Sequence, residues 1–502
     1  MRLTFIAGAA AAASLTTAVP ATAVAQPGGV SASCNIDLNQ PKELAMLSLS
    51  YQQAKSSQNA EQRKKLLMTL AKELDTKPER YAKNLTGYHF MLSEVYKMWA
   101  LEPGQLAAPV RSSIGLVSSP TETIDLVTAT DAAYKAIVAA SPACEADIKA
   151  QRQNELWLAQ TQAALTASSA GKLDSAEYYA KRSMLLSDGP YAHYVLANVS
   201  NLKNDKKAAI MHWRHVIERA GSDTSYRDLK SGSMYYVAMT QLELAGSAQG
   251  ADQVALAKDA AGSFKALIAN APDSPDVPNH YNNWAEALTL SKDTASMGQV
   301  YAEMLANPDK QSDMALAVGG VIATRANKSD DALKLFEASV KKNPNSRDGL
   351  RNFAASLYGK DRFKDMFEPS RKLVALDPNN YDAWMFFAYA SQGMGKSAKL
   401  PAERKAWTDS LVKYQTYAEN LPVKVEVAGF SRGAEQATLT LALEQVAATG
   451  SYTVTAEFLD EAGNLVGSAT AETGALKKGD RKNVELKATG QKIYAYRYKP
   501  IK

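Results

Sequence analysis

The sequence is poor in the residues that most often carry chemistry. Its 502 residues include five histidines and two cysteines. So few histidines leave little material for acid–base or metal work. Charge of one sign is lacking too: 57 basic against 52 acidic residues leave a net +5. Spread over this length, it gives no reason to expect nucleic-acid binding, which needs clustered Lys and Arg. Past the N-terminal segment, no run approaches the ~20 apolar residues that span a bilayer. What remains is a globular composition, 46% hydrophobic and 22% charged, in a chain long enough for two or more domains.

The first segment reads as a targeting signal over residues 1–25. Arg2 gives a positive end, an Ala-rich apolar run follows, and Ala23-Val24-Ala25 before Gln26 is a small-x-small cleavage site. There is no twin Arg, and Ser31-Ala32-Ser33 lacks the Leu-type residue expected ahead of a lipidated Cys34. The mature chain is therefore expected to be exported, periplasmic or extracellular, and soluble. Cys34 and Cys144 suit an oxidising compartment, and one disulfide between them is expected.

One short phrase organises the middle of the chain. It reads Asn270-Ala271-Pro272, Asn307-Pro308-Asp309, Asn343-Pro344-Asn345 and Asp377-Pro378-Asn379, with prolines 36, 36 and 34 residues apart. Before each lies an apolar stretch of helical period, such as Ala332, Leu333, Leu335, Phe336 and Val340. That period predicts stacked helical hairpins, each too small to bury its own apolar face.

Counting back from Pro344 starts one unit at Asp313, with Gly320 at position eight, Ala332 at twenty and Phe336 at twenty-four. Counting back from Pro378 places Phe353, Ala354 and Leu357 at seven, eight and eleven; the next unit begins at Tyr381 with Phe387 and Ala388 in place. An earlier unit from Pro190 offers Leu196, Ala197, Ala209, Trp213 and Val216. The pattern resembles the tetratricopeptide repeat, a 34-residue helix-turn-helix. Met366 departs from it at position twenty, and Pro369 is expected to kink a second helix.

Upstream, residues 41–153 read as a helical region. Asn59-Ala60-Glu61-Gln62 leads into Leu66, Leu67, Leu70 and Leu74, and Pro78 is expected to open a helix through Tyr88, Phe90, Met91, Val95 and Met98. Gly104 to Thr123 reads as a long connection. Asn154 to Leu186, with Gly171 in its turn, already looks like a repeat. The expected organisation is a signal peptide over 1–25, a flexible N-terminus over 26–40, this helical region, a solenoid over 154–421 and a β-domain over 422–502.

The last part changes grammar. Val423, Val425 and Val427 alternate with Lys424 and Glu426, and five further runs, with a turn at Asp460-Glu461-Ala462-Gly463-Asn464, predict about six short strands. Phe458-Leu459-Asp460 and Leu476-Lys477-Lys478-Gly479-Asp480 resemble an extracellular FxLYD-type module, with Ala456 and Leu459 departing from it. The fold class is then mostly α: a TPR-like α-solenoid of antiparallel helix pairs followed by a small all-β, immunoglobulin-like sandwich. From Lys477 on, nine cations face two carboxylates. That excess suits an edge strand kept from pairing, or a weak contact with an anionic envelope surface.

Three motifs imitate catalytic ones. Gly429-Phe430-Ser431-Arg432-Gly433 has the letters of a nucleophile elbow, but all five His lie upstream and strands surround it, so a hairpin loop is expected. Gly395-Lys396-Ser397 ends like a phosphate loop without the required earlier Gly, and reads as an inter-helix turn. His212 and His215 share one helix face with no third ligand nearby in sequence. No catalytic residue, metal or cofactor is expected.

The repeat resemblance implies that contacts lie on the first helix of each hairpin. Carried over, it points to Tyr191, Tyr194, Asn198 and Asn201, then Met314 and Arg325, Arg351 and Tyr358, and Met385, Tyr389 and Gln392. Such residues suit an extended peptide, with Asn pairing to backbone amides, Arg to carboxylates and rings covering apolar side chains. The expected function is a non-enzymatic exported scaffold or adaptor for a protein or peptide. The alternatives are an exported hydrolase acting on envelope polymers with a non-contiguous site, and a structural subunit of an envelope complex.

Overall fold

The computed structural model describes residues 34–502 except 273, 275, 434 and 491. The targeting segment read over residues 1–25 lies outside the described residues. By their contacts the residues fall into two compact units, the chain passing from one to the other between Thr240 and Gln241.

The first unit opens with α1 (Lys42–Ser56), α2 (Ala60–Thr76), α3 (Leu85–Leu101), α4 (Leu126–Ala140) and α5 (Glu145–Arg152). Polar caps set three of these starts: Asn59 at α2, Asn84 at α3 and Asp125 at α4 each accept a backbone N–H of the following turn, a bond worth about 1 kcal/mol. Asn84 explains one correction. Pro78 opens only a short 3-10 turn, Pro78–Tyr81, and the helix of Tyr88 and Met91 starts afresh at Leu85. The connection after α3 is anchored rather than loose: Val110 bridges Thr123, and Asp75 accepts the N–H groups of Val117 and Ser118, both at 2.7 Å. Burial alone would raise the Asp75 pKa, but the bonds from Ser118, Val117 and Arg111 bring it below the usual carboxylate value. Cys34 and Cys144 are disulfide-bonded and lie in a core with Val127, Tyr134, Ile137 and Leu156.

Hairpins follow: α6 (Glu155–Ser169) with α7 (Leu173–Leu186), α8 (Pro190–Leu202) with α9 (Lys206–Ala220), then α10 (Arg227–Ser247). Gly171 makes the first of these turns at φ 70°, a left-handed value that costs Gly least.

The second unit continues with α11 (Gly250–Asn270), α12 (Val277–Leu290), α13 (Thr294–Ala306), α14 (Asp313–Arg325), α15 (Ser329–Lys342), α16 (Arg347–Tyr358), α17 (Phe367–Leu376), α18 (Tyr381–Ser397) and α19 (Pro401–Glu419). Each helix from α14 to α18 packs on the next, and first helices also touch, α14 on α16 and α16 on α18. The units counted back from the prolines begin at Asp313 and Arg347, the first residues of α14 and α16, and the next at Tyr381, which opens α18. No strand falls among residues 313–379. The small residue at position eight has a packing reason: a Cβ on Gly320 would stand 2.5 Å from the ring of Phe336. Pro369 does not kink α17. That helix starts late, at Phe367, so the proline sits in its first turn, where a missing N–H costs nothing.

The strands are β1 (Val423–Arg432), β2 (Gln436–Gln445), β3 (Thr449–Leu459), β4 (Leu465–Lys477), β5 (Arg481–Thr489) and β6 (Ala495–Tyr498). They form two antiparallel three-stranded sheets, β1-β2-β5 and β4-β3-β6. Alternate residues, among them Leu439, Leu441, Leu443, Val454, Phe458 and Leu486, fill the space between them, each stabilising by about 1.5–3 kcal/mol through burial. Part of the basic excess from Lys477 on is answered by carboxylates within the β-domain. Arg481 pairs with Glu444, Lys487 with Glu485, and Arg497 and Lys499 with Glu457. Residues 422–502 together hold eleven cations and nine carboxylates.

Candidate functional site: the first-helix wall and the turns beside it

In the second unit the N-terminal ends of α14, α16 and α18 are sealed, while residues further along α16 and α18 are partly open. The sealing residues come from the repeated phrase. Asn343 Nδ2 donates to Asp313 Oδ2 at 2.7 Å, and Arg347 Nε donates to Asp377 Oδ2 at 2.6 Å. Both links span 30 residues, tying the last turn of one repeat to the first residue of the same repeat. The β-domain then closes on them. Arg432 Nη2 reaches Asp313 Oδ1 at 2.8 Å, and Tyr498 Oη donates to Asp377 Oδ1 at 2.5 Å. Asn379 exchanges two 2.8 Å bonds with the main chain of Ile501, and its carbonyl accepts the N–H of Val425 at 3.0 Å.

Asp377 is fully buried, and Arg347 and Tyr498 nearly so. Burial opposes the Arg347 charge, yet Asp377 and Asp348 beside it outweigh that and hold its pKa well above the usual value. Burial, then Asp377, pushes the Tyr498 hydroxyl well up, so it stays a donor. These groups satisfy one another in a buried site, where an orphaned member would be costly. The sequence signal was the recurring Asn or Asp before each proline, which helical packing alone does not require.

The open part is an aromatic cluster on α16 and α18. Tyr358 lies 5.2 Å from Tyr389, 6.2 Å from Phe386 and 5.7 Å from Phe363, ring centre to ring centre. Tyr358 is 41% exposed, and Tyr389 is half-buried. Arg351, about two turns before Tyr358, donates to Asp382 at 2.9 Å. Met385 and Gln392 lie on α18 with Tyr389, both half-buried, while Arg325 is exposed in the last turn of α14. The structure thus brings Tyr358 and Tyr389 together and gives Arg351 a carboxylate partner.

The first-unit candidates sit on α8. Tyr191 packs edge-on against Tyr226 at 5.6 Å, Tyr194 packs against the core of Ala197, Ala209 and Trp213, and Asn201 accepts from Lys206 at 3.0 Å. Asn198 is half-buried.

The catalytic imitations resolve into ordinary structure. Gly429 to Arg432 belong to β1, with a bulge between Val427 and Gly429, so only Gly433 reaches the turn. Gly395-Lys396-Ser397 ends α18 instead of opening a helix, and Lys396 lies over the Phe363 ring at 5.6 Å. Helix N-termini, not C-termini, favour phosphate. Among the described residues no group of three His, Cys, Asp or Glu is placed to hold a metal ion. The buried carboxylates are separately engaged: Glu94 by Lys97 and Tyr51, Glu102 by Arg63, Asp131 by Arg152 and Lys135, Asp313 by Arg432, and Asp377 by Arg347. None is paired with another as an acid–base couple would be.

No family model matches the chain, and no curated protein matches it. Solved structures do. The TPR2AB-domain:pHSP90 complex of yeast Sti1 is 14% identical, covering 53% of this chain and 99% of that one, with a TM-score of 0.23. Acl4, the assembly chaperone of RpL4 (residues 1–338), is 13% identical over 49% of this chain and 98% of that one, with a TM-score of 0.19. The P58(IPK) TPR domain is 10% identical over 72% and 96%, with a TM-score of 0.20. At such scores the architecture rests on the helix pairs themselves: the chain is a TPR-like solenoid of antiparallel helix pairs followed by two small antiparallel sheets.

Proposed function

We propose that the chain is an exported, non-enzymatic scaffold or adaptor that holds a protein or extended peptide along its first helices. The observation that carries this reading is the contrast along α16 and α18. Their N-terminal ends are committed to the β-domain, whereas Tyr358, Tyr389, Met385, Gln392 and Arg351 stay partly accessible beside one another. Aromatic and Arg anchors in such a setting commonly contribute over 2 kcal/mol each at an interface. The Arg351–Asp382 pair is only partly buried, so a peptide carboxylate can compete for the guanidinium at small cost. The Cys34–Cys144 bond supports export, since such bonds persist in oxidising compartments.

The test is capture of partners from the native envelope by the full chain and by an R351A/Y389A variant. Capture by the variant should be at least tenfold weaker, about 1.4 kcal/mol or more, with helix content and melting temperature unchanged. A variant that folds and binds fully would move the partner to another surface. One that loses its fold would make these residues part of the core.

A further inference from the structure

Away from that wall, a cluster of titratable side chains lies in the α8–α9 hairpin, where three of the five histidines meet. His193 Nε2 stands 2.7 Å from Asp188 Oδ1, and His193 Nδ1 stands 3.1 Å from His212 Nδ1. Asp188 can only accept, so His193 carries its proton on Nε2. Its Nδ1 is then the acceptor, and His212 Nδ1 the donor. The His215 ring stacks on His193 at 4.7 Å and its Nδ1 faces Glu218 at 3.3 Å. Arg219 also claims Asp188, at 2.7 Å, while Lys181 and Glu177 face His212 from α7. His193 is buried and His212 partly so.

We propose that this cluster is a proton-sensitive latch, in which neutral rings hold α8 to α9 and a second added proton forces the two helices apart. The first proton is tolerated: a cationic His193 donates from both nitrogens, to Asp188 and to a neutral His212. The second is not. With His212 also cationic, two N–H groups would point at each other across 3.1 Å, with Lys181 and Arg219 adding charge of the same sign. The nearby carboxylates are already committed, Glu177 to Lys181 and Lys203, and Asp188 to Arg219 and His193. The hairpin that would loosen carries Tyr191, Tyr194, Asn198 and the buried Trp213. The opening itself does not depend on whether those residues bind a partner.

The titration follows the same direction. Burial, then His193 and His215, hold His212 down to about 4. Burial also lowers His193, with Asp188 opposing. A base whose pKa falls on folding binds fewer protons folded than unfolded. The latch is therefore fully closed above the ordinary histidine pKa and weakens as pH falls toward 4.

The experiment is amide hydrogen exchange on the full chain between pH 7.5 and 4.5, each rate referenced to its intrinsic value. Peptides from residues 190–220 should lose protection at least ~10-fold more than peptides from α14 and α15, which lack histidine. In a His212→Gln variant that excess should disappear. Equal responses of the two hairpins, or an unchanged excess in the variant, would overturn the latch. Should the variant misfold, assigned ¹³C-histidine NMR of the unaltered chain decides: the His212 ring titrating below 5 supports the latch, and His212 titrating near the ordinary histidine value would refute it.

Discussion

The chain is tied down near both ends of the described residues, and by opposite chemistry. In the first unit a covalent bond joins Cys34 to Cys144 across 110 residues. In the second, Ile501 is joined to Asn379 across 122 residues by hydrogen bonds alone, backed by Arg347, Asp377 and Tyr498. The disulfide acts chiefly by restricting the unfolded chain, and it is indifferent to pH and salt. The polar closure acts in the folded state, where each buried group depends on all the others. One staple answers to reductant, the other to the loss of a single partner.

The largest effect should come from breaking the second. Asp377→Ala leaves the buried Arg347 guanidinium with Asp348 alone and the buried Tyr498 hydroxyl without its acceptor, and should cost about 3–5 kcal/mol, read from urea unfolding. Hydrogen exchange should place the damage in residues 241–502. Replacing Cys34 and Cys144 by Ser should cost about 2–4 kcal/mol and leave α14–α18 as protected as before. If both changes weaken both units equally, the two staples are not separate. A smaller effect sharpens the contrast by giving the first unit a titratable anchor. Asp75→Asn should cost about 1–2 kcal/mol at pH 7. Because the Asp75 pKa is lowered on folding, its contribution is complete above the ordinary carboxylate pKa. It fades as pH falls through the folded value, so wild type and variant should converge toward pH 2 in thermal melts. Smallest of all is Arg481→Ala. Its pair with Glu444 is exposed and should change stability by under about 1 kcal/mol.

The same contrast explains what could be read from the sequence. Cysteines are so rare here that two of them name their own pairing. Prolines at a fixed spacing located the first residues of α14, α16 and α18, because each must follow a repeat turn at one distance. The β-domain's share of the polar closure was hidden, since Arg432 meets Asp313 across 119 residues with no local mark. Local rules also misled where a competing cap or a late start intervened. Asn84 took the helix start from Pro78, and the shift of α17 to Phe367 disarmed Pro369. On the wall, the repeat resemblance placed Tyr358 and Tyr389 on neighbouring helices, but it gave no hint that Asp382 would occupy Arg351.

Stacked repeats normally behave as springs, each hairpin free to tilt a little on the next because only neighbours touch. The β-domain grips Asp313 at one repeat, Asp377 at the end of the following one, and Asn379 and Asn380 in the turn that leads into the third. Tilting any of these hairpins would stretch bonds anchored in a single rigid sandwich. The sandwich is thus a splint, and α14 to α18 should bend as one stiff rod where an unsplinted stack of equal length would flex.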